Sequence, residues 1–356
     1  MPRSGDPASG QRRSRATIGD VARKAGVSVT TASVVLGGRP SAIAIGEETR
    51  QRVQAASAEL DYRPNPFART LRTGRSQTLG LLVTTIADPV TGEVVQAMDA
   101  VARERGYRTI LMMSGMGLST EGQPTGDEAA GLRFVDGALL LGFQLLGYVP
   151  FPGVAAQHRG LVTAIPNNPD LPSFAVDVDV RAGALAALRH LHDLGHRRLG
   201  MIYDERHLRM RHLRETFDAF VREAGLPTAP GAVGATEASY YEDGKVATAA
   251  LLAARQPPTA ILAANDQLAI GALHAAWQWG LRVPGDLSIV GFGDIGVAQY
   301  LAPPLTTVRQ PLAELGRRAT EVLIDLLEGR GTSPPDDDLL LQPELIVRDS
   351  TAPPRA

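Results

Sequence analysis

A glycine-rich stretch in the C-terminal part of the chain has the spacing of a dinucleotide-binding loop. Gly291, Gly293 and Gly296 form a GxGxxG pattern directly after an apolar segment. That chemistry also needs a helix after the third glycine, because the helix N-terminus binds the pyrophosphate. Pro303 and Pro304 end any such helix within about two turns. The sequence therefore argues against a dinucleotide site, and it contains no P-loop, GxSxG or HExxH motif.

Five histidines between His190 and His212 suggest a second chemistry, the binding of a metal ion. His190 and His192 are two positions apart, however, which places them on different faces of a helix, and Gly195 separates them from His196. We therefore expect these histidines to be solvated or to cap helix ends. The absence of cysteine excludes thiolate catalysis, disulfides and cysteine-ligated metals. Because the sequence shows no catalytic pair, we expect no enzymatic activity, no metal and no cofactor.

The net charge of −2 hides an uneven distribution along the chain. Residues 1–75 hold 13 Lys and Arg against 6 Asp and Glu, whereas residues 76–356 hold 23 against 32. A basic N-terminal part followed by an acidic remainder is typical of a protein that binds a polyanion at one end. The first residues lack the apolar core of a signal peptide and no segment resembles a membrane span, so we expect a cytoplasmic protein.

The basic part contains a basic arm, which we expect to be disordered, and then three short helical patterns. Thr17 and Asp20 have the spacing of a capping box, and Gly26 suits the end of that first helix. Ser28 suits the start of the second helix. Only two residues separate these helices, which is typical of a helix-turn-helix unit. The alternative is a three-helix bundle that does not bind DNA.

In a helix-turn-helix unit the second helix enters the major groove of DNA. Its outward positions in this sequence are Val29, Thr30, Ser33 and Val34, with Thr31 near the phosphates. From Thr78 onwards short apolar strands alternate with amphipathic helices. We therefore predict an all-α helix-turn-helix head followed by an α/β body of two lobes, each with a doubly wound parallel sheet.

Two stretches of the basic part resemble a known family. ATIGDVARKAGVSVTTASVVL resembles the DNA-binding head of the lactose/galactose repressor (LacI/GalR) family, and YRPNPFARTL, from Tyr62 to Leu71, resembles its hinge. Asn65 suits the N-cap and Pro66 the first turn of a hinge helix that is too short to be stable alone. The resemblance implies that paired hinge helices fold in the minor groove, where Leu71 wedges between base pairs.

Two departures from the family concern the reading of bases. Val34 stands where the family often has arginine, and Gly37 where it often has asparagine. Because valine offers only apolar contact, we expect a preference for thymine methyl groups over guanine. The loop between Gly37 and Gly46 is longer than in the best-known members of the family. We therefore expect Arg39 to reach the DNA backbone from a shifted position. The residues expected to contact DNA are Thr17, Ser28, Val29, Thr30, Thr31, Ser33, Val34, Arg39, Tyr62, Asn65, Ala68, Arg69, Leu71 and Arg72.

The resemblance extends over residues 16–351 and implies a two-lobed body, similar to periplasmic sugar-binding proteins, with a small effector in the cleft. Asp266 is expected to brace the helix that follows it. Gly293 replaces an aspartate that binds sugar hydroxyls in the family, and Val90 and Thr91 replace an aromatic pair. We therefore expect an effector other than a typical hexose, or a loss of ligand control. The residues expected to bind effector are Thr91, Arg181, Phe217, Asn265 and Gly293.

These observations predict a repressor-type, sequence-specific transcriptional regulator that binds a pseudo-palindromic operator as a homodimer, with a tetramer as the alternative assembly and no membrane partner. The alternative function is a small-molecule-binding protein with a vestigial head. The predicted divisions are a basic arm (1–15), a DNA-binding domain (16–62), a hinge and linker (63–76) and an effector-binding and dimerisation domain (77–351). The first lobe is predicted at 77–174 and 308–331, and the second at 175–307 and 332–351.

Overall fold

The computed structural model describes residues 16–37, 45–63, 70, 74–83, 86, 88–113, 132, 134–141, 160–164, 174–205, 207–227, 233–236, 240–330 and 339–355. Contacts between residues divide the chain into two compact units, residues 1–76 and residues 77–356. We call the first unit the head and the second unit the body. Within the described residues, no helix is both long enough and apolar enough to cross a membrane.

Three helices form the described part of the head: α1 (Ile18–Ala25), α2 (Val29–Gly37) and α3 (Glu47–Glu59). The predicted signals at their ends are confirmed. Thr17 Oγ1 accepts the Asp20 N–H at 3.3 Å, and the Asp20 carboxylate accepts the Thr17 N–H at 2.9 Å, which completes the capping box. Gly26 ends α1 with a φ of +65°. Ser28 Oγ accepts the Thr31 N–H at 3.0 Å and starts α2.

The apolar faces of the three helices close a small core in the head. Val21 and Ala22 of α1, Ala32 and Val35 of α2, and Val53 of α3 are all buried there. A core this small supplies limited stabilisation, so the hydrogen bonds at the helix ends matter to the fold of the head.

Two six-stranded sheets form the body, one in each lobe. The first sheet has the order β11-β5-β4-β3-β1-β2, and all its described pairs are parallel. Helices α4 and α9 pack against this sheet and against each other. The elements are β1 (Thr78–Val83), α4 (Pro89–Glu104), β2 (Arg108–Met113), β3 (Gly137–Leu141), β4 (Leu161–Ala164), β5 (Phe174–Val178), α9 (Leu312–Glu328) and β11 (Leu340–Leu341).

The second sheet has the order β12-β10-β9-β8-β6-β7. Its described pairs are parallel except for β12, which runs antiparallel to β10 at the edge. The predicted α/β fold is confirmed, and the antiparallel edge strand is an addition to it. The elements are α5 (Val180–Asp193), β6 (Leu199–Asp204), α6 (Leu208–Glu223), β7 (Val233–Thr236), α7 (Tyr241–Leu252), β8 (Ala260–Ala263), α8 (Asp266–Gln278), β9 (Ser288–Gly293), β10 (Thr306–Arg309) and β12 (Glu344–Ile346).

The chain crosses between the two sheets three times, after β5, after β10 and after β11. These crossings correct the predicted lobe boundaries by a few residues. Residues 175–178 and 340–341 were assigned to the second lobe, but they pair with strands of the first sheet, and Val308 and Arg309 pair within the second sheet. The short strands β5 and β11 carry too few residues for a clear alternation of polar and apolar positions.

Helices α7 and α8 approach each other closely at two glycines. A Cβ atom at Gly271 would overlap the carbonyl oxygen of Tyr241, and one at Gly244 would overlap the carbonyl oxygen of Leu268. Glycine is therefore required on both helices for them to pack against one another on the second sheet.

Candidate DNA-reading and effector-binding sites

Helix α2 presents a mixed apolar and hydroxyl face to solvent. Val29 is 51% exposed and Thr30 is exposed, whereas Ser33 and Val34 are half-buried. The buried Ala32 and Val35 on the opposite side fix the orientation of this face relative to the head core. The face therefore offers two valines and two hydroxyls for contact with the edges of base pairs.

Two of the hydroxyls predicted to contact DNA are used inside the head. Thr17 Oγ1 caps α1, and Ser28 Oγ caps α2 and lies 2.9 Å from Thr31 Oγ1. These side chains therefore position the helix N-termini, whose free N–H groups suit phosphate oxygens. A direct contact from either hydroxyl to DNA would require it to share or leave its capping bond.

The described helical part of the head carries no net charge. Residues 16–37 and 45–63 contain five Lys and Arg and five Asp and Glu. Several of these charges pair with each other, as in Arg23 with Asp20 at 3.1 Å and Lys24 with Glu59. The surplus of positive charge therefore belongs to the flanking sequence: +3 in residues 1–15, +1 in residues 38–44 and +3 in residues 64–75. The net charge of residues 1–75 alone does not show that the helical part is neutral.

The predicted hinge begins at a residue that is anchored to the head. Tyr62 packs against the three-helix core, and Ser57 Oγ donates a hydrogen bond to the Tyr62 carbonyl oxygen at 3.1 Å. Burial raises the pKa of Tyr62. The other predicted contacts of the loop and hinge, Arg39, Asn65, Ala68, Arg69, Leu71 and Arg72, lie outside the described residues.

In the body, three of the predicted effector residues lie at the C-terminal edge of the second sheet or in the helices that start there. Arg181, in the first turn of α5, donates a hydrogen bond to Glu215 of α6 at 2.8 Å, and both side chains are more than half exposed. Asn265 follows β8, and its Oδ1 accepts the Leu268 N–H at 2.7 Å. Asn265 therefore acts as the N-cap of α8, and its predicted role in the cleft stays a prediction.

Gly293 lies at the end of β9 with a φ of +140°, a conformation that side chains rarely adopt. A Cβ atom at this position would lie 3.4 Å from Oδ2 of Asp266. An aspartate at position 293 would thus be strained and would face another carboxylate. Glycine therefore fits both the backbone conformation and the nearby carboxylate at this position.

Phe217 and Thr91, two of the residues predicted to contact an effector, are both buried. Phe217 is only 3% exposed and belongs to the apolar core of the second lobe. Thr91 is buried in the first turn of α4, and its N–H donates to the Asp88 carbonyl oxygen at 3.0 Å. Their contact with an effector stays a prediction.

The sequence predicts that Asp266 braces the helix that follows it, but its carboxylate instead connects the start of α8 to the edge of the second sheet. Its carboxylate accepts hydrogen bonds from Thr307 Oγ1 at 2.5 Å and from the Ile295 N–H at 2.8 Å. Burial raises the pKa of Asp266 to about 6, against the lowering effect of these hydrogen bonds. The neighbouring Asp294 accepts hydrogen bonds from Arg348 at 2.6 Å and from Arg309 at 2.7 Å. Neither carboxylate is left free to bind ligand hydroxyls.

A cluster at the junction of the lobes is not predicted by the sequence. Arg209, in the first turn of α6, is buried and donates a hydrogen bond to Gln310 Oε1 at 3.2 Å. Its guanidinium also lies 3.6 Å from the carboxylate of Asp177, which belongs to β5 of the first sheet. Burial lowers the pKa of Arg209 and raises the pKa of Asp177. The only local signal is the basic run from Arg206 to Arg211 directly after β6.

His190 and His196 have hydrogen-bonding partners in the described residues, and the burial of His196 differs from the expectation of solvated or helix-capping histidines. His196 is buried, with Nδ1 2.9 Å from Thr259 Oγ1 and Nε2 2.9 Å from the Ala352 carbonyl oxygen. His190 Nε2 lies 2.9 Å from Thr351 Oγ1. Across the described ranges, no group of three or more His, Asp and Glu side chains is arranged to hold a metal ion. After β9, the glycine-rich stretch leads into one 3₁₀ turn and then β10, without the helix that a dinucleotide loop requires.

Both units match described protein families. Residues 17–65 match the family described as bacterial regulatory proteins, lacI family, and residues 188–351 match the periplasmic binding protein-like domain. The chain is 32% identical over 345 residues to the HTH-type transcriptional repressor CytR of Escherichia coli (strain K12), which covers 96% of this chain and 98% of that protein. It is 30% identical over 351 residues to the HTH-type transcriptional repressor PurR of Haemophilus influenzae (strain PittEE), covering 94% and 98%.

Solved structures extend the comparison to the fold. The lac repressor dimer bound to operator and the anti-inducer ONPF matches with a TM-score of 0.79 and 24% identity, over 95% of this chain and 99% of that one. The complex of transcriptional regulator CelR with cellobiose matches with a TM-score of 0.67 and 28% identity, over 94% and 100%. These similarities cover the head and the body together.

Proposed function

The chain belongs to the lacI family of bacterial regulatory proteins, and from that premise we propose how its geometry serves a repressor whose operator affinity a small molecule controls. A homodimer binds a pseudo-palindromic operator, and each head inserts α2 into the major groove of one half-site. The observation that carries this proposal is the exposed face of Val29 and Thr30, which the buried Ala32 and Val35 hold in a fixed orientation.

Base readout on this face is apolar and hydroxyl in character. Val29 and Val34 suit the methyl group of thymine, whereas Thr30 and Ser33 donate or accept single hydrogen bonds. No charged side chain stands on the described outward positions of α2. We therefore assign to α2 a preference for thymine over guanine at the bases opposite its valines.

Affinity for the phosphates comes from the sequences that flank the helices. Because the described helical part of the head is neutral, the counterions released on binding are those displaced by the arm, the loop and the hinge. In the dimer, these segments bring a surplus of about +14 to one operator. The hinge adds the wedge at Leu71, which kinks the duplex when two hinge helices pair in the minor groove.

The body supplies control and dimerisation. A small molecule between the lobes changes operator affinity only if it binds the two states of the body with different affinity, and DNA then changes its binding reciprocally. Gly293, Asp266 and Asp294 leave no free carboxylate for sugar hydroxyls at the end of β9, which supports an effector other than a typical hexose. CelR, a relative, was solved with cellobiose, so the fold itself accepts carbohydrates.

The repressor acts in the cytoplasm, where the DNA is, and performs no catalytic step; its curated relatives are named as repressors. A mobility-shift experiment with fragments of the source genome tests the proposal. The full chain should select a small set of fragments that share an inverted repeat, and Thr30→Asp should abolish this selection while Glu223→Lys, on the exposed side of the body helix α6, should not. Equal retention of all fragments would contradict sequence-specific binding.

A further inference from the structure

The side chain of Arg209 is a buried cation with incomplete pairing. Its side chain is 8% exposed, and a guanidinium carries five N–H donors. It makes a hydrogen bond to Gln310 at 3.2 Å and lies 3.6 Å from the Asp177 carboxylate, too far for a hydrogen bond. Its Nε is buried and has no hydrogen-bond partner among the described residues. An unsatisfied buried donor on a charged group costs free energy, so Arg209 Nε can gain stability by donating to a further acceptor.

A second unsatisfied nitrogen lies two residues earlier on the chain. Nδ1 of His207 is buried and has no hydrogen-bond partner among the described residues. Burial, with a smaller contribution from the charge of Arg209, lowers the pKa of His207 to about 3. The ring is therefore neutral, and in one tautomer its Nδ1 donates a hydrogen bond. Two buried nitrogens directly after β6 thus have no partner among the described residues, and both can donate a hydrogen bond when Nδ1 of His207 carries the proton.

The location of these nitrogens is the edge where a ligand enters an open α/β fold. His207 and Arg209 follow the C-terminal end of β6, and Asp177 lies near the C-terminal end of β5 in the other sheet. Gln310 follows β10 at the second crossing between the lobes. Arg209 is therefore held between groups of both lobes, at the junction that any cleft between them must include.

The charges around this junction favour a negative ligand. Gly293 occupies the position where the family commonly has a sugar-binding aspartate. The charge of Asp294 is neutralised by Arg309 and Arg348. The carboxylate of Asp266 is buried and already accepts hydrogen bonds from Thr307 Oγ1 and from the Ile295 N–H, so it is not available to a ligand. Glu215 is paired with Arg181, which leaves Asp177 as the carboxylate that faces Arg209.

We propose that the effector of this repressor is a small organic acid whose carboxylate or phosphate accepts hydrogen bonds from Arg209 Nε and His207 Nδ1. The inference rests on the proposed function, because it names the ligand class of the same body. A carboxylate and a phosphate both present the acceptor oxygens that a guanidinium binds. Arg209 then contacts the effector directly and connects it to Asp177 and Gln310 at the lobe junction.

Calorimetric titration of the full-length protein tests the proposal with three probes of similar size: gluconate for a carboxylate, glucose 6-phosphate for a phosphate, and glucose for a neutral sugar. We expect at least one acid to bind at least tenfold more tightly than glucose. Which acid binds distinguishes a sugar acid from a sugar phosphate. Equal affinity for the three probes, or no binding by either acid, would overturn the proposal.

Variants of the same helix separate the role of Arg209 from a general loss of charge. Arg209→Gln should weaken binding of the acid at least tenfold, whereas Arg211→Gln, an exposed arginine of α6, should leave it unchanged. Arg209→Lys keeps the charge but removes Nε and should also weaken binding, provided its circular dichroism matches the parent. Unchanged binding in a folded Arg209 variant would overturn the proposal. Retained operator binding by the parent protein would show that the proposed function stands even if this inference fails.

Discussion

The head and the body of this protein are each stabilised by interactions of a different range in sequence. In the described head, helix ends are set by residues three positions apart, as with Thr17 and Asp20. In the body, the junction and the strand ends depend on residues far apart in sequence, such as Arg209 with Gln310 and Asp266 with Thr307. The helix ends of the head are therefore set by local interactions, whereas the strand ends and the lobe junction of the body depend on tertiary packing.

Among the variants that test this difference between head and body, Gly271→Ala is expected to have the largest effect on stability. Its new Cβ would overlap the Tyr241 carbonyl oxygen and push α8 away from α7, at a cost of about 3 kcal/mol to the body. Both tryptophans, Trp277 and Trp279, lie at the end of α8, so tryptophan fluorescence during thermal unfolding reports the body alone. Gly92→Ala is the control, because Gly92 lies in helix α4 with open space around its Cα. A fluorescence transition unchanged by Gly271→Ala would contradict the close approach of the helices.

Asp266→Asn tests the buried charge of the body through pH. Since the folded-state pKa of Asp266 is raised to about 6, its contribution to stability is fully present below the ordinary value of 3.8 and is lost as the pH rises through 6. The variant should therefore gain up to about 3 kcal/mol relative to the parent between pH 4 and pH 7. Urea unfolding followed by tryptophan fluorescence measures this difference, with the exposed Glu223→Gln as control. Parallel pH profiles for variant and parent would refute the assignment.

Val34→Arg tests the reading of bases by the head. Arginine at this position pairs with guanine, so the preferred base opposite it should change from thymine to guanine with about 1–3 kcal/mol of discrimination. Selection from randomised half-sites measures the change. Ala58→Arg adds the same charge on the exposed side of α3 and should leave the base preference as it is. A parent protein that already selects guanine there would rule out the thymine preference.

The smallest expected effect is that of Gly26→Ala in the head. The left-handed conformation at Gly26 costs alanine about 1 kcal/mol, and no neighbouring atom lies close enough to add a clash. Gly37→Ala also meets open space but lies in helical conformation, so it serves as the matched control. Operator affinity, measured near the midpoint temperature of head unfolding, reports the loss of stability. A loss as large as that of Gly271→Ala would contradict the local character of the head.

The same difference in range explains what the sequence could predict. Gly26 and Ser28 predict the turn between the first two helices because each residue acts on its near neighbours in the sequence. Asn265 before α8 carried an equally local capping signal, but the family resemblance favoured a ligand role. Arg209 in α6 and Asp177 in β5 are separated by 32 positions, and no periodicity places them together. The depth of Phe217 likewise follows from the packing of α6 on its sheet.

The central claim is that the flanking segments of a neutral helical unit bind the operator phosphates while α2 reads the bases. The most direct test is the affinity of the full chain for its selected operator, measured by fluorescence anisotropy over a range of salt concentrations. Counterion release predicts a steep linear fall of log affinity with log salt, and a version lacking residues 1–15 should show a clearly smaller slope. An affinity that is independent of salt, or a slope unaffected by removal of the arm, would contradict the account.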